Sequence, residues 1–263
     1  MAIITAGLTV TTNSLLEGGV GALYNGTVAA MNGTPSYTWS ITAGTLPAGL
    51  ALNASTGVVS GTPTTAGTTT ITFSVTDDVS TSATKSLSIK IYDKLLTLKD
   101  GWTLISTDKQ VNAASCEWEA TPALVYKYTA NGFVSASLAD LQPVDALLVK
   151  MPGGGKVYLT YSGGIPGVSA KDLSAGWNLI SSATTDSAAA VLSPLRYVQI
   201  GQQQGIGLTT LVSQANYNPS GASFYYATLT DNDWVTLAGM SLSPFDGYWV
   251  YMNAPKSFGV VPR

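Results

Sequence analysis

An all-β chain of tandem β-sandwiches is what this sequence predicts, and three observations carry the expectation. Only 10% of its 263 residues are charged while 45% are hydrophobic, with Thr, Ser, Ala and Gly filling the gap; soluble domains average about 25% charged. β-branched Thr packs well on a pleated surface, whereas long solvated helices need the Glu and Lys that are scarce here. Segments such as Thr70-Ile71-Thr72-Phe73-Ser74-Val75-Thr76 alternate strictly between apolar and polar residues, which buries one face of a strand and wets the other. Turn clusters, among them Asn32-Gly33-Thr34-Pro35 and Ser60-Gly61-Thr62-Pro63, punctuate the chain at short intervals.

Residues 1–93 read as the first domain. Its expected strands are Tyr24–Met31, Tyr37–Ile41, Gly57–Ser60, Thr68–Thr76 and Thr84–Tyr92, the last repeating the alternation in Leu87-Ser88-Ile89-Lys90-Ile91. Three runs stand in order: Gly33-Thr34-Pro35-Ser36-Tyr37-Thr38-Trp39-Ser40-Ile41, Leu46-Pro47-Ala48-Gly49-Leu50, and Gly57-Val58-Val59-Ser60-Gly61-Thr62-Pro63, closed by Val75-Thr76-Asp77. Together they resemble the immunoglobulin-like (cadherin-like, dystroglycan-type) repeats of bacterial and phage surface proteins. The resemblance implies an immunoglobulin-like/cadherin-like β-sandwich.

The remainder contains an internal repeat. Leu98-Lys99-Asp100-Gly101-Trp102-Thr103-Leu104-Ile105-Ser106 opens one copy and Leu173-Ser174-Ala175-Gly176-Trp177-Asn178-Leu179-Ile180-Ser181 the other. Pro143-Val144-Asp145-Ala146-Leu147-Leu148-Val149-Lys150-Met151 closes the first, and Pro244-Phe245-Asp246-Gly247-Tyr248-Trp249-Val250-Tyr251-Met252 the second. Such self-similarity marks a repeated supersecondary unit. These runs resemble a "GWNLIS … GYW" β-module of prokaryotic surface proteins, the first copy departing from it at Asp145-Ala146-Leu147-Leu148. The expected domains are therefore residues 94–170 and 171–263, two small β-sandwich modules. One short helix is expected in each, over Asn112–Ala120 and, N-capped by Asp186, over Ser187–Leu192. The hairpin Val125–Phe133 is matched to Phe224–Trp234. Trp102 and Tyr126 are 24 residues apart, but Trp177 and Tyr226 are 49 apart, so residues 200–221 read as a loop inserted in the second module.

Composition excludes several chemistries. The chain has no histidine and a single cysteine, which removes His-dependent triads and any tetrahedral N/S zinc shell, and leaves no intramolecular disulfide. A net charge of −3 with Lys and Arg scattered singly argues against nucleic acid. No apolar run reaches the 18 residues that a spanning helix needs. Met151-Pro152-Gly153-Gly154-Gly155-Lys156 lacks phosphate-loop spacing. An isopeptide crosslink, known in some surface immunoglobulin-like domains, needs a Lys facing an Asn across strands, and Ile3–Val10 offers no Lys. Closely spaced carboxylates occur as Asp77/Asp78, Glu117/Glu119 and Asp231/Asp233; the first and last fit turn tips and the second an exposed helix. No enzyme activity and no obligatory cofactor are expected.

Two kinds of site remain. Calcium would need oxygen-rich clusters, for which Asp77, Asp78, Asp93, Asp231 and Asp233 are the candidates, with plain turn chemistry as the competing reading. Contact with a protein or glycan favours exposed aromatics beside a polar loop, which singles out Trp234, Tyr217, Tyr225 and Tyr226 with Gln202, Gln203 and Gln204. Trp102, Trp177 and Trp249 recur within apolar strands and are expected in the core. Cys116 is expected to be a small buried hydrophobe.

The expectation is a non-catalytic structural or adhesion protein of a prokaryotic cell surface, contacting copies of itself, other surface proteins or surface glycans. Two alternatives stand beside it: a phage virion component of tail or capsid, and a carbohydrate-binding accessory module. Met1-Ala2-Ile3-Ile4-Thr5 has no leader character, which suits either a leader lying upstream or export as part of a virion.

Overall fold

In the computed structural model, strand Gly67–Thr76 pairs along its whole length with Ser82–Tyr92. The alternation of the sequence is realised there residue by residue: Ile71, Phe73 and Val75 are fully buried. On the opposite face the hydroxyls bond across the strands, Thr70 to Ser88 at 3.0 Å, Thr72 to Ser86 at 2.9 Å and Thr76 to Ser82 at 2.9 Å. Thr and Ser therefore serve as a cross-strand ladder on the wet face. The structure describes residues 7–162, 169–181, 186–187, 197–200, 203–206, 208–218, 223–228, 241–242 and 247–260. The chain forms two units, residues 1–95 and 96–263.

The first unit is an immunoglobulin-like sandwich. One sheet orders Gly18–Gly19, Ser82–Tyr92, Gly67–Thr76 and Thr38–Ala43, and a three-stranded sheet orders Tyr24–Thr27, Val58–Gly61 and Leu50–Leu52. A short pair, Thr9–Val10 with Ala30–Met31, completes it. Between the sheets lie Tyr24, Trp39, Val59, Phe73 and Ile89. Tyr24 donates its hydroxyl to the Leu16 carbonyl at 3.0 Å, and burial pushes its pKa up to about 12.

The second unit holds both repeat copies. In the first, Lys94–Leu98, Gly155–Leu159 and Glu117–Trp118 form one sheet, and Gly101–Ser106, Ala146–Met151, Leu124–Thr129 and Gly132–Ser135 the other. Leu98, Ile105, Leu147, Val149, Val157 and Leu159 fill the space between them. In the second copy, Gly176–Ser181, Gly247–Met252, Leu208–Asn218 and Ser223–Thr228 make the equivalent four-stranded sheet, while Ser169–Leu173 pairs with Lys256–Val260. The register of opening against closing strand is the same in both copies: Gly101 faces Met151 and Ser106 faces Ala146, as Gly176 faces Met252 and Ser181 faces Gly247.

Three expectations change here. The helix expected over Asn112–Ala120 is a single 3-10 turn, Ala113–Ser115. Cys116 is already extended, and Glu117 and Trp118 pair with Tyr158 and Val157. Sheet pairing outcompetes a weak helical tendency that has no side-chain cap at Asn112. In the second copy Asp186–Ser187 is a strand paired with Leu242 and Ser241, so Asp186 caps no helix at Ser187; residues 188–196 lie outside the described residues. Residues 200–221, expected as an inserted loop, are strand wherever they are described. They include strand Gln203–Ile206, paired with Tyr197–Ile200, and the whole of strand Leu208–Asn218, which pairs with the closing strand as Leu124–Thr129 does in the first copy. Tyr126 faces Leu148, and Val212 faces Trp249 at the equivalent position. The true counterpart of Tyr126 is Val212, and that of Gly132–Ser135 is Ser223–Thr228.

Candidate interaction surface

Cross-strand register aligns a row of residues on one face of each four-stranded sheet. In the first copy the pairs are Trp102 with Lys150, Leu104 with Leu148 and Ser106 with Ala146. In the second they are Trp177 with Tyr251, Leu179 with Trp249 and Ser181 with Gly247. Directly paired residues share a face and alternate residues return to it. Leu124, Tyr126 and Tyr128 extend the first row, because Leu124 pairs with Lys150 and Tyr126 with Leu148.

The inner ends of the two rows meet. Leu104, Ala146 and Leu179 are buried in one cluster, with Tyr128, Leu148 and Trp249 packed against it. The opening strand of each copy touches the closing strand of the other, and the two closing strands touch. Such reciprocity is the signature of an isologous pairing, in which the same patch serves on both sides. Polar contacts fix it at one edge: the Ser181 N–H donates to the Val144 carbonyl at 3.1 Å, and Lys171 Nζ donates to Asp145 Oδ1 and to the Leu179 carbonyl.

The outer ends are uncovered. Trp102 and Trp177, at equivalent positions, are 40% and 39% exposed. Of the nine exposed large hydrophobics among the described residues, five lie on these two faces: Trp102, Leu124, Phe133, Trp177 and Tyr251. That concentration separates them from the scattered exposed leucines of any surface. In the first copy the exposed rings connect without a break to Trp249, half-buried between the copies. Trp102 stacks on Tyr126 with centroids 6.1 Å apart, Tyr126 meets Phe133 edge-on at 6.2 Å, Phe133 meets Tyr128 at 5.1 Å, and Tyr128 meets Trp249 at 4.8 Å. Lys150 Nζ lies 5.7 Å from the Trp102 ring centroid, a cation–π geometry. Trp177 and Tyr251 pair edge-on at 5.3 Å.

Trp102 and Trp177 are thus at the rim and not in the core, because each sits near the start of its strand, beyond the half of the face that the twin covers. Trp249 is half-buried between the copies. The signal was present in the period-2 run Leu124-x-Tyr126-x-Tyr128, but only the pairing of the copies distinguishes covered from open. Of the residues singled out by sequence, Tyr217 lies in strand Leu208–Asn218, and Tyr225 and Tyr226 in Ser223–Thr228 opposite Ser213 and Val212. Gln203 and Gln204 pair with Ile200 and Gln199 in a hairpin. Trp234, Gln202, Asp231 and Asp233 lie outside the described residues.

In the first unit Asp77 organises a turn. Its carboxylate accepts N–H groups from Thr34 at 3.0 Å, Thr81 at 2.8 Å and Val79 at 3.2 Å. The Thr34 N–H is the largest influence on its acidity; partial desolvation opposes it, Thr81 and Val79 reinforce it, and the net effect holds the carboxyl below the ordinary value of 3.8. Among the described residues no three or more acids or thiols come together to hold a metal. Asp77, Asp78 and Asp93 form no such cluster, and the Asp77 oxygens serve backbone donors in a turn. A depressed folded-state pKa contributes stability above the unfolded value and loses it as pH falls through the folded value. The 34–81 turn pairing is therefore expected to loosen below about pH 3.8, and Asp77→Ala to loosen it at neutral pH, both read as faster amide exchange at Thr34 and Thr81.

Glu119 receives Lys156 Nζ at 2.9 Å in an exposed ion pair. Cys116 packs partly buried against the first-copy core, its sulfur accepting the Thr160 N–H at 3.3 Å. Lys85 Nζ donates to Asn13 Oδ1 at 2.8 Å in an exposed contact, not the dry setting that an amide-forming pair requires.

A family model described as "Putative Ig domain" matches residues 6–92. No curated relative matches the chain. Among solved structures, a "putative alpha-galactosidase" of Bacteroides fragilis NCTC 9343 is similar at 25% identity and a TM-score of 0.30, over 39% of this chain and 21% of that one. Extracellular cadherin domains 3–6 of protocadherin gamma B2 are similar at 10% identity and a TM-score of 0.28, over 86% of this chain and 66% of that one. The chain thus spans about a fifth of the galactosidase's length, and neither likeness bears on activity.

Proposed function

We propose that the chain is a non-catalytic protein displayed outside a prokaryotic cell, which works by contact through its sandwich faces. The observation that carries this reading is the aromatic rim, where apolar side chains with ordered ring geometry stand open to solvent at equivalent positions of two modules. Exposed, pre-stacked aromatics are the anchor type that protein and glycan contacts use. The immunoglobulin-like domain at residues 6–92 agrees with it. The described residues contribute no helix long and apolar enough to cross a membrane.

Immunogold labelling of thin sections of the source organism, with antibody raised against residues 7–95, tests the reading. Label on the outer surface is the expected result. Label confined to the cytoplasm overturns the proposal, and label on virions replaces the cell-surface setting with the phage alternative.

A further inference from the structure

We infer that the open half of the paired-module face is a self-association surface, and that its occupant is a second copy of this chain. The inference rests on the contact function proposed above and names the partner. Within one molecule this face already recognises its own kind, because the covered halves of the two rows bury Leu104, Ala146 and Leu179 against each other through reciprocal strand contacts. The open halves carry the same positions of the same repeat, Trp102 and Trp177, at almost equal exposure. The first-copy half continues the buried interface through the unbroken ring series Trp249, Tyr128, Phe133, Tyr126 and Trp102. A surface continuous with a homotypic interface, and built from the same repeated strands, is complementary in chemistry to another copy of itself.

Two features select a second copy over a glycan. Leu124 and Phe133, 40% and 51% exposed, add apolar surface without hydrogen-bonding groups for sugar hydroxyls. Net charge is also low, −3 over 263 residues, so copies approach with little electrostatic penalty. Lys150 over Trp102 is the one cation placed on the first-copy row, and its stem can lie along an apolar contact while its ammonium stays in water.

The test is sedimentation velocity of the full chain between about 1 and 300 µM, with intrinsic tryptophan emission followed over the same range. The expected result is a concentration-dependent rise in sedimentation coefficient with a blue shift in emission, as Trp102 and Trp177 leave water. Trp102→Ser and Leu124→Glu are each expected to weaken association at least about tenfold, one contact-sized loss of about 1.4 kcal/mol, with unchanged far-UV circular dichroism. A wild-type chain that stays monomeric throughout overturns the inference, as does association that both folded variants leave intact. If the wild type is monomeric but its emission shifts on adding a surface polysaccharide, the occupant is a glycan: self-association falls while the contact function stands. The localisation experiment judges that function separately.

Discussion

Gly49→Ala is expected to abolish the melting transition of residues 1–95 at moderate temperature while leaving that of residues 96–263 in place. Gly49 has φ of +91°, and a Cβ there would lie 2.0 Å from the Thr62 carbonyl oxygen. Gly61, across the pair formed by Leu50 and Gly61, is equally confined, since its own Cβ would lie 2.1 Å from the Gly49 carbonyl oxygen. The two glycines bring the backbones close enough for the Thr62 N–H to reach the Gly49 carbonyl at 3.1 Å. A side chain must both adopt an unfavourable φ and displace another strand's backbone, at a cost of at least about 3 kcal/mol. Differential scanning calorimetry checks this: two transitions in the wild type, with only the one assigned to the first unit lost. A variant that retains both transitions within a degree would contradict the geometry.

Leu179→Ala carries the second large effect. Leu179 is 1% exposed and belongs to the cluster that joins the two repeats, with Leu104 and Ala146. Truncating a buried leucine costs about 2–5 kcal/mol, depending on how far the cavity collapses. Because the cavity opens between the modules, both are expected to lose stability together, although the substitution lies in the second alone. Trp102 and Trp177 fluorescence, each isolated by Trp→Phe replacement of the other tryptophans, reports its own copy during urea unfolding. Coincident shifts of both midpoints are expected. A shift confined to Trp177 would show that the modules fold independently.

The sequence disclosed different layers with different success. Alternation in Thr70–Thr76 identified which residues the first sandwich buries, because a period-2 pattern leaves only one way to hide Ile71, Phe73 and Val75 together. The repeat was visible in Gly-Trp-x-Leu-Ile-Ser, and both copies adopt one strand register. In the middle of the second copy aromatic content points to the wrong strand, because Phe224-Tyr225-Tyr226 resembles Val125-Tyr126-Lys127-Tyr128. Pairing to the closing strand instead selects Leu208–Asn218, whose Leu211-Val212 carries no aromatic ring.

What the amino-acid order determined by itself was local: the alternating strands of the first sandwich and their buried side, the repeated opening and closing strands, and a chemistry without imidazole. Local pattern suffices there because each residue's preference depends on near neighbours and on one face being wet. Tertiary structure alone decided which tryptophans are open. Trp102, Trp177 and Trp249 sit in near-identical apolar strands, and their fates diverge only through how far one sheet overlaps its twin, a long-range packing outcome that no short stretch of sequence encodes.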